Sequence, residues 1–359
     1  MPITLKDVAR RAGVSRSAVS RTFTPGASVS AGTRAKVEAA ARELGYTPSV
    51  LASALSTGRT RLIGLVANNF HNPVFLEVFD LFTRLLQDRG LRPLLVNLTD
   101  ETDPAGSVRL LSQYSVDAVI VASSTLPPGF ARAFRDGGLP VVHAFGRSSA
   151  APEVPVVGID NAECGRLAAR TFLARGYRRV AFLGGPEHAT STRDRLAGFA
   201  AELAAHPAAR MTVSFAADYT FGAGRAEMQR LLAAQDRAEA YFCGDDVIAV
   251  GALSAVRDRG LGVPAEVGLL GLNDMEMAGW ANIDLTTIRQ PIADIIAAAV
   301  EAAVAAIDDP ARTPEARLFP CRIVERGTLR PLPQDRRGQG PEAIPPTGVP
   351  DSSTCGDRR

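Results

Sequence analysis

Hydrophobic positions in the first 45 residues recur at helical spacing. Leu5, Val8, Ala9 and Ala12 fall on one face of a helix that the Thr4 hydroxyl can cap as acceptor, with Asp7 three residues on in a near capping-box arrangement. Gly13 and Val14 turn the chain, and Ser15 can cap a second helix from Arg16 to about Phe23. Ala9, Ala12, Val14 and Val19 pack the pair together, leaving Arg16, Ser17 and Arg21 facing outward. A third helix is predicted from about Ala31 to Leu44, between the cap Ser30 and the stop Gly45. Residues 49–56 follow a proline and precede a glycine, with length for a two-turn helix that is marginal alone in water.

From Arg61 the pattern changes to short apolar runs alternating with amphipathic stretches. Strands are predicted at 62–66, 93–97, 118–122 and 141–142, with a second set beginning near residue 156 and continuing at 180–183, 212–215, 240–243 and 267–271. Helices are predicted between them, at about 73–89, 103–114, 130–136, 162–175, 192–204, 222–234 and 247–259. Repeated βα units of this length imply parallel sheets with helices on both faces. The expected fold is therefore α/β. A three-helix helix-turn-helix head (1–47) and a hinge helix or linker (48–60) precede a body (61–330) of two doubly wound parallel subdomains with a cleft between them. Subdomain one is expected at about 61–160 plus 287–325, and subdomain two at about 161–286. Residues 331–359 are rich in Pro, Gly, Asp and Arg and are expected to be disordered.

Charge divides the chain in the same place. Residues 1–61 hold ten basic and three acidic side chains, a net of +7, whereas the whole chain is +2, so the remainder is −5. A basic head on an acidic body is expected where one part alone meets a polyanion. Hydrophobic content of 46% suits a globular protein, and no apolar run reaches the roughly 18 residues of a membrane span. No signal-peptide apolar region stands at the N-terminus, and the four cysteines are scattered without a CxxC pair. A reducing cytoplasm, no membrane, no metal and no cofactor are the expectations.

The segments Leu5-Lys-Asp-Val-Ala, Ala12-Gly-Val-Ser, Val19-Ser-Arg, Val29-Ser, Thr33-Arg, Lys36-Val and Leu44-Gly-Tyr-x-Pro48 resemble the DNA-binding head of the LacI/GalR family of bacterial transcription regulators. The resemblance continues to about residue 330. It implies a ligand-controlled regulator, most often a repressor, binding a palindromic operator as a homodimer. DNA contacts are implied at Thr4, Lys6, Ser15, Arg16, Ser17, Ser20, Arg21, Ser30, Thr33 and Tyr46, and at Leu55 and Ser56 of a hinge helix ordered on DNA. Leu55 matches the leucine that wedges into the minor groove and kinks the duplex. The body is similar to a periplasmic sugar-binding protein. Residues 331–359 hold no leucine heptad, so the tetramer-forming extension of some members is not expected.

Ligands of open α/β sheets bind beyond the carboxyl ends of the strands. That rule selects the stretches beginning at Asn68, Gly184, Cys243 and Gly271, where aromatic, guanidinium, carboxylate and amide groups converge. By resemblance, Arg195 before Leu-Ala-Gly-Phe contacts effector, Phe75 and Phe242 line the pocket, and Asp245 and Asn273 stand at ligand-contacting positions; Asn72, Ser123 and Phe145 complete the candidate set. Phe75 and Phe242 equally suit an apolar core, Arg195 suits a pair with Asp194 or Asp160, and Asp246 suits a cap for the following helix. Asn273 stands where sugar- and purine-responsive members often carry aspartate, and Cys164 where some sugar-responsive members carry an acid. A sugar or sugar derivative is the first effector class and another polar metabolite the next.

Two other classes fit less well. An enzyme on a doubly wound fold would need a signature that is missing, since no GxGxxG follows the first body strand and no P-loop or GxSxG occurs. A solute-binding protein would not need the basic head.

Overall fold

The computed structural model describes residues 3–24, 26–47, 54, 58–98 and 104–333. The expected hinge helix falls almost entirely outside these residues, as do Leu55, Ser56 and the tail from 334 onward.

Three helices form the head: α1 (Leu5–Ala12), α2 (Arg16–Phe23) and α3 (Ala31–Leu44). Val8, Ala9, Val19, Val37, Ala40 and Ala41 make its small core, covered by Leu5, Val14, Phe23, Leu44 and Tyr46. The caps are local. Asp7 accepts both the Thr4 N–H (3.1 Å) and the Thr4 hydroxyl (2.6 Å), and the capping box expected at the start of α1 is present. Ser15 accepts from Ala18 N–H and Ser30 from Thr33 N–H, each at 3.2 Å. Gly13 and Gly45 end α1 and α3 in the left-handed conformation, at φ 66° and 65°, where a side chain is strained. Arg11 pairs with Glu43, and Arg34 donates to the Thr22 carbonyl, tying α3 to both other helices.

The body holds two six-stranded sheets among the described residues. In chain order its elements are β1 (Leu62–Ala67), α4 (Val74–Asp88), β2 (Arg92–Asn97), α5 (Pro104–Gln113), β3 (Ala118–Ala122), α6 (Pro128–Asp136), β4 (Val141–Ala144) and β5 (Val156–Ile159). Then come α7 (Asn161–Ala174), β6 (Arg179–Gly184), α8 (Thr190–Ala204), β7 (Arg210–Phe215), α9 (Phe221–Leu232), β8 (Ala240–Cys243), α10 (Asp246–Asp258) and β9 (Gly268–Leu272). A short 3-10 turn (Glu276–Gly279), β10 (Thr287–Arg289), α11 (Ile292–Asp308), β11 (Ala316–Phe319) and β12 (Arg322–Val324) complete it.

The first sheet runs β11-β5-β4-β3-β1-β2, all parallel; the second runs β12-β10-β9-β8-β6-β7, parallel except for β12 against β10. Strands covered on both faces read as continuous apolar runs, and β3 and β9 are buried at every residue. The segment 287–325 does not return whole to the first subdomain. Its α11 packs on β3, β4 and β5, and β11 pairs with β5, but β10 and β12 join the second sheet. The chain thus crosses between the sheets three times, after β5, β10 and β11. These last strands escape an apolar-run reading because β10 and β12 are three residues long and β11 is an exposed edge.

Glycine pairs set the helix packing of the second subdomain. A Cβ on Gly198 of α8 would collide with the Ala162 carbonyl of α7, and one on Gly165 of α7 with the Arg195 carbonyl of α8. Gly224 and Gly251 play the same part between α9 and α10.

Candidate DNA-reading head and effector cleft

On the head, Arg16, Ser17, Ser20 and Arg21 stand exposed along α2, with Lys6 exposed on α1. Arg21 Nε reaches the Ser17 carbonyl at 3.4 Å, which orders the arginine along the helix. Thr4, Ser15 and Ser30 are exposed cap residues, Ser30 donates to the half-buried Thr33 hydroxyl at 2.9 Å, and Ser15 shares a hydrogen bond with Ser17. Tyr46 lies half-buried against Phe23, ring centroids 5.9 Å apart. The outcome is a short exposed helix, basic and hydroxylic, presenting its N-terminal end. Such a helix reads base edges in the major groove while neighbouring cations hold phosphates.

In the body, loops at the carboxyl ends of both sheets enclose a cavity of about 50 Å³. Asn72, Phe75, Ser123, Phe145, Arg195, Asp245 and Asn273 all line it. Phe242 does not, and its assignment to the ligand is corrected. It is fully buried on β8, 5.6 Å from the Phe182 ring and 5.7 Å from Phe199, because strand alternation turns it into the core. Asn68 and Asn69, within the stretch selected from Asn68, also line the cavity, as do Ser124, Asn161, Tyr219 and Gln290, which were not among the candidates. Asn161 and Gln290 follow β5 and β10, so the strand-end rule reaches them once those strands are known.

Arg195 is buried and donates from Nε to Asn161 Oδ1 (2.8 Å) and from Nη1 to the Gly244 carbonyl (2.7 Å). Neither Asp194 nor Asp160 takes it: Asp194 pairs with Arg147 at 2.6 Å, and Asp160 caps α7. Among the described residues, Arg195 Nη2 and Asn161 Nδ2 are left as donors for a ligand acceptor. Aromatic walls stand at Phe75, Phe145 and Tyr219. Asn69, Phe145 and Asn273 hold positive φ of 63°, 62° and 121°. Non-glycine residues in that region carry strain, and such residues gather at ligand sites.

Asp245, not Asp246, caps α10, accepting from Val247 N–H at 2.8 Å. Its other oxygen accepts from Asn72 and Asn273, both at 2.8 Å, so it links the two subdomains. Burial pushes its carboxyl up to about 6, against the pull of those donors. Asp246 sits one residue on, fully buried, accepting from the Thr287 hydroxyl (2.6 Å) and Met275 N–H (2.8 Å). Burial, with the nearby Asp245 and Asp274 charges, pushes it up to about 7.

A carboxyl raised above its unfolded value of about 4 binds its proton more tightly in the folded state. Stability then falls as pH rises through the window from about 4 to about 7 set by Asp246. His143 acts oppositely: burial lowers it to about 4, so its contribution is lost as pH falls below about 6.5. The interval from pH 6.5 to 7.5, above the range in which His143 acts and centred on the Asp246 value of about 7, therefore weights Asp246 most. Melting temperature is expected to fall across it, and Asp246→Asn is expected to flatten that slope. Parallel slopes for variant and wild type would refute the assignment.

A helix-turn-helix head joined to a two-sheet body with a polar cleft defines a ligand-responsive transcription regulator. Residues 4–49 match the family model for bacterial regulatory proteins of the lacI family, and residues 169–329 match that for a periplasmic binding protein-like domain. The HTH-type transcriptional repressor PurR of Proteus mirabilis is 33% identical over 297 residues, covering 80% of this chain and 85% of the relative. That of Klebsiella pneumoniae is 32% identical over 293 residues, with the same coverage of 80% and 85%. The Lac repressor dimer bound to operator and the anti-inducer ONPF superposes with a TM-score of 0.82 at 25% identity, over 91% of this chain and 99% of that one. The complex of the regulator CelR with cellobiose gives 0.68 at 27% identity, over 91% and 99%. The chain belongs to the LacI/GalR family, whose members here are transcription regulators rather than enzymes. Among the described residues, no group of three or more His, Cys, Asp or Glu could hold a metal ion, and no helix is long and apolar enough to cross a membrane.

Proposed function

We propose that this repressor acts in the cytoplasm as a homodimer on a palindromic operator, with a sugar or sugar derivative, ahead of other polar metabolites, as its effector. The observation that carries the effector reading is the pair of unused donors at Arg195 and Asn161, facing a cavity walled by aromatic rings and amides. A planar guanidinium beside an amide suits adjacent oxygen acceptors, and aromatic walls suit the apolar face of a ring. The cellobiose in the CelR complex supports that class. The dimer is supported by apolar side chains left exposed on β2, on α5 and just after it, and on β7: Leu95 (48%), Leu110 (40%), Tyr114 (54%) and Val213 (41%). Residues 1–47 read the DNA, 48–60 couple head to body with Leu55 as wedge, and 61–330 bind effector and partner.

A thermal-shift panel of sugars, sugar phosphates and nucleobases against the full-length protein tests the effector class. Stabilisation by a sugar or derivative supports it, and stabilisation by nucleobases alone overturns it. The head reading makes a separate prediction. Arg16→Ala and Ser17→Ala are expected to change which bases are preferred, by roughly 1–3 kcal/mol at the position read. Lys6→Ala is expected to weaken all sequences alike and to reduce the salt slope of binding by about 1. Anisotropy titrations on operator variants measure both.

A further inference from the structure

A second cavity, of about 240 Å³, opens at the pole of subdomain one opposite the effector cleft. Its walls come from the amino ends of β4, β5 and β11 and from the C-terminal half of α11. Val141, Val154, Val156 and Val157 make an apolar floor, each no more than 4% exposed. Across from them α11 presents Ala298, Ala302 and Ala305, whose short side chains leave the space unfilled. The cavity sits at the β11 edge of the first sheet, and Leu95 marks the other edge, β2, so a partner on that edge leaves the cavity open.

The rim is charged, and most of its charges are engaged. Arg317 pairs with Glu301 at 3.3 Å, Arg135 with Asp136 at 2.8 Å and Glu153 with Arg132 at 3.2 Å. Asp309 accepts from the Ala311 N–H at 3.2 Å. Arg312 and Glu315 also line the cavity, and neither side chain has a hydrogen-bond or ion-pair partner among the described residues. One unengaged cation and one unengaged anion therefore stand beside an apolar floor.

We propose that this cavity is a second ligand site, for a zwitterionic α-amino acid with a branched apolar side chain.

The ligand carboxylate takes the Arg312 guanidinium, whose fork offers two parallel donors, and the ammonium takes the Glu315 carboxylate. The side chain lies on the valines, where apolar surface leaves water. A carboxylate or an amine of the same shape leaves one of the two protein charges unmatched. The helix α11 joins this site to the cleft: Ile292 at its start lines the effector cavity, and Ala305 lines the second one about 20 Å further along the helix. Just past its end, Asp309 and Pro310 line the second cavity, and the adjacent Asp308 pairs with Arg59 at 3.1 Å. Arg59 lies where the chain enters the body from the head. A ligand seated against Asp309 and Pro310 thus bears on the ion pair that anchors that entry.

The consequence for DNA rests on the regulator reading above, whereas ligand binding does not. Calorimetric titration of the full-length protein with leucine tests the site, with isocaproate and isopentylamine as probes that lack the ammonium and the carboxylate. Leucine is expected to bind, and to bind roughly tenfold or more weakly in Arg312→Ala and in Glu315→Gln. Both residues are exposed, so neither variant disturbs the core. Isocaproate and isopentylamine should show a similar loss, and Arg195→Ala should retain leucine. No leucine binding to the wild type, binding unchanged in either rim variant, or binding lost in Arg195→Ala overturns the site. Isocaproate or isopentylamine binding as tightly as leucine overturns the amino-acid class. Affinity for the operator recovered by selection should change by roughly fivefold or more with leucine, the lower end of allosteric coupling, and the change should be absent in Arg59→Ala. An operator affinity that leucine leaves unchanged, or changes equally in Arg59→Ala, overturns the coupling.

Discussion

Arg195→Ala is expected to leave operator binding in place and to weaken the effector by roughly 100-fold. The size follows from truncating a buried, charge-assisted donor, which costs about 2–5 kcal/mol. Two of its nitrogens are engaged by Asn161 and the Gly244 carbonyl, so the guanidinium is held in place before a ligand arrives. Alanine removes both the donor offered to the ligand and the strut that positions the second subdomain's loop. Melting temperature separates the two effects. A small drop in stability with a large loss of effector affinity supports the direct contact. An equal effector response in variant and wild type would place the ligand elsewhere. Arg195→Lys keeps the charge but not the fork, and should recover only part of the loss.

Gly198→Val is expected to be the most destabilising single change in the body. A Cβ on Gly198 meets the backbone of Ala162, with Ala162 C only 2.6 Å away, and backbone cannot step aside as a side chain can. Overpacking of this kind costs about 3 kcal/mol or more, because α7 and α8 must separate. For a domain of this size that is a drop of roughly 6–12 °C in melting temperature. Gly222→Ala is the control, since nothing lies within 4 Å of a Cβ there. A melting temperature within a degree or two of wild type for Gly198→Val would show that the helices are not held at this distance. Gly165, against the Arg195 carbonyl on the same interface, gives the packing a functional side. The close approach that glycine permits also sets where Arg195 stands.

What could be read from residues alone follows from how local the rule was. The head's helix limits, caps and core come from spacing within single turns, and the structure places α2 and α3 on the expected residues. Strand alternation is equally local, and the long buried strands were visible as apolar runs. The errors lie where distant segments decide. β10 and β12 hold three residues each and exist because neighbouring strands pair with them. Phe242 and Phe75 are both phenylalanines near strand or helix ends, yet one faces the second core and the other the cavity. Asp245 and Asp246 are adjacent and identical in type. Which one caps α10 depends on Thr287 and Met275, which hold Asp246 from elsewhere in the fold.

Selection of random duplex DNA with the full-length protein, run beside Leu55→Ala, decides whether the chain reads a two-fold operator through its head and wedge. The expected outcome is a palindrome of two half-sites, enriched by the wild type and bound more weakly by the variant, because each subunit of a two-fold dimer reads one half and the wedge kinks the centre. Enrichment of no sequence, with and without metabolite extract, or of a lone half-site with no symmetric partner, would contradict it.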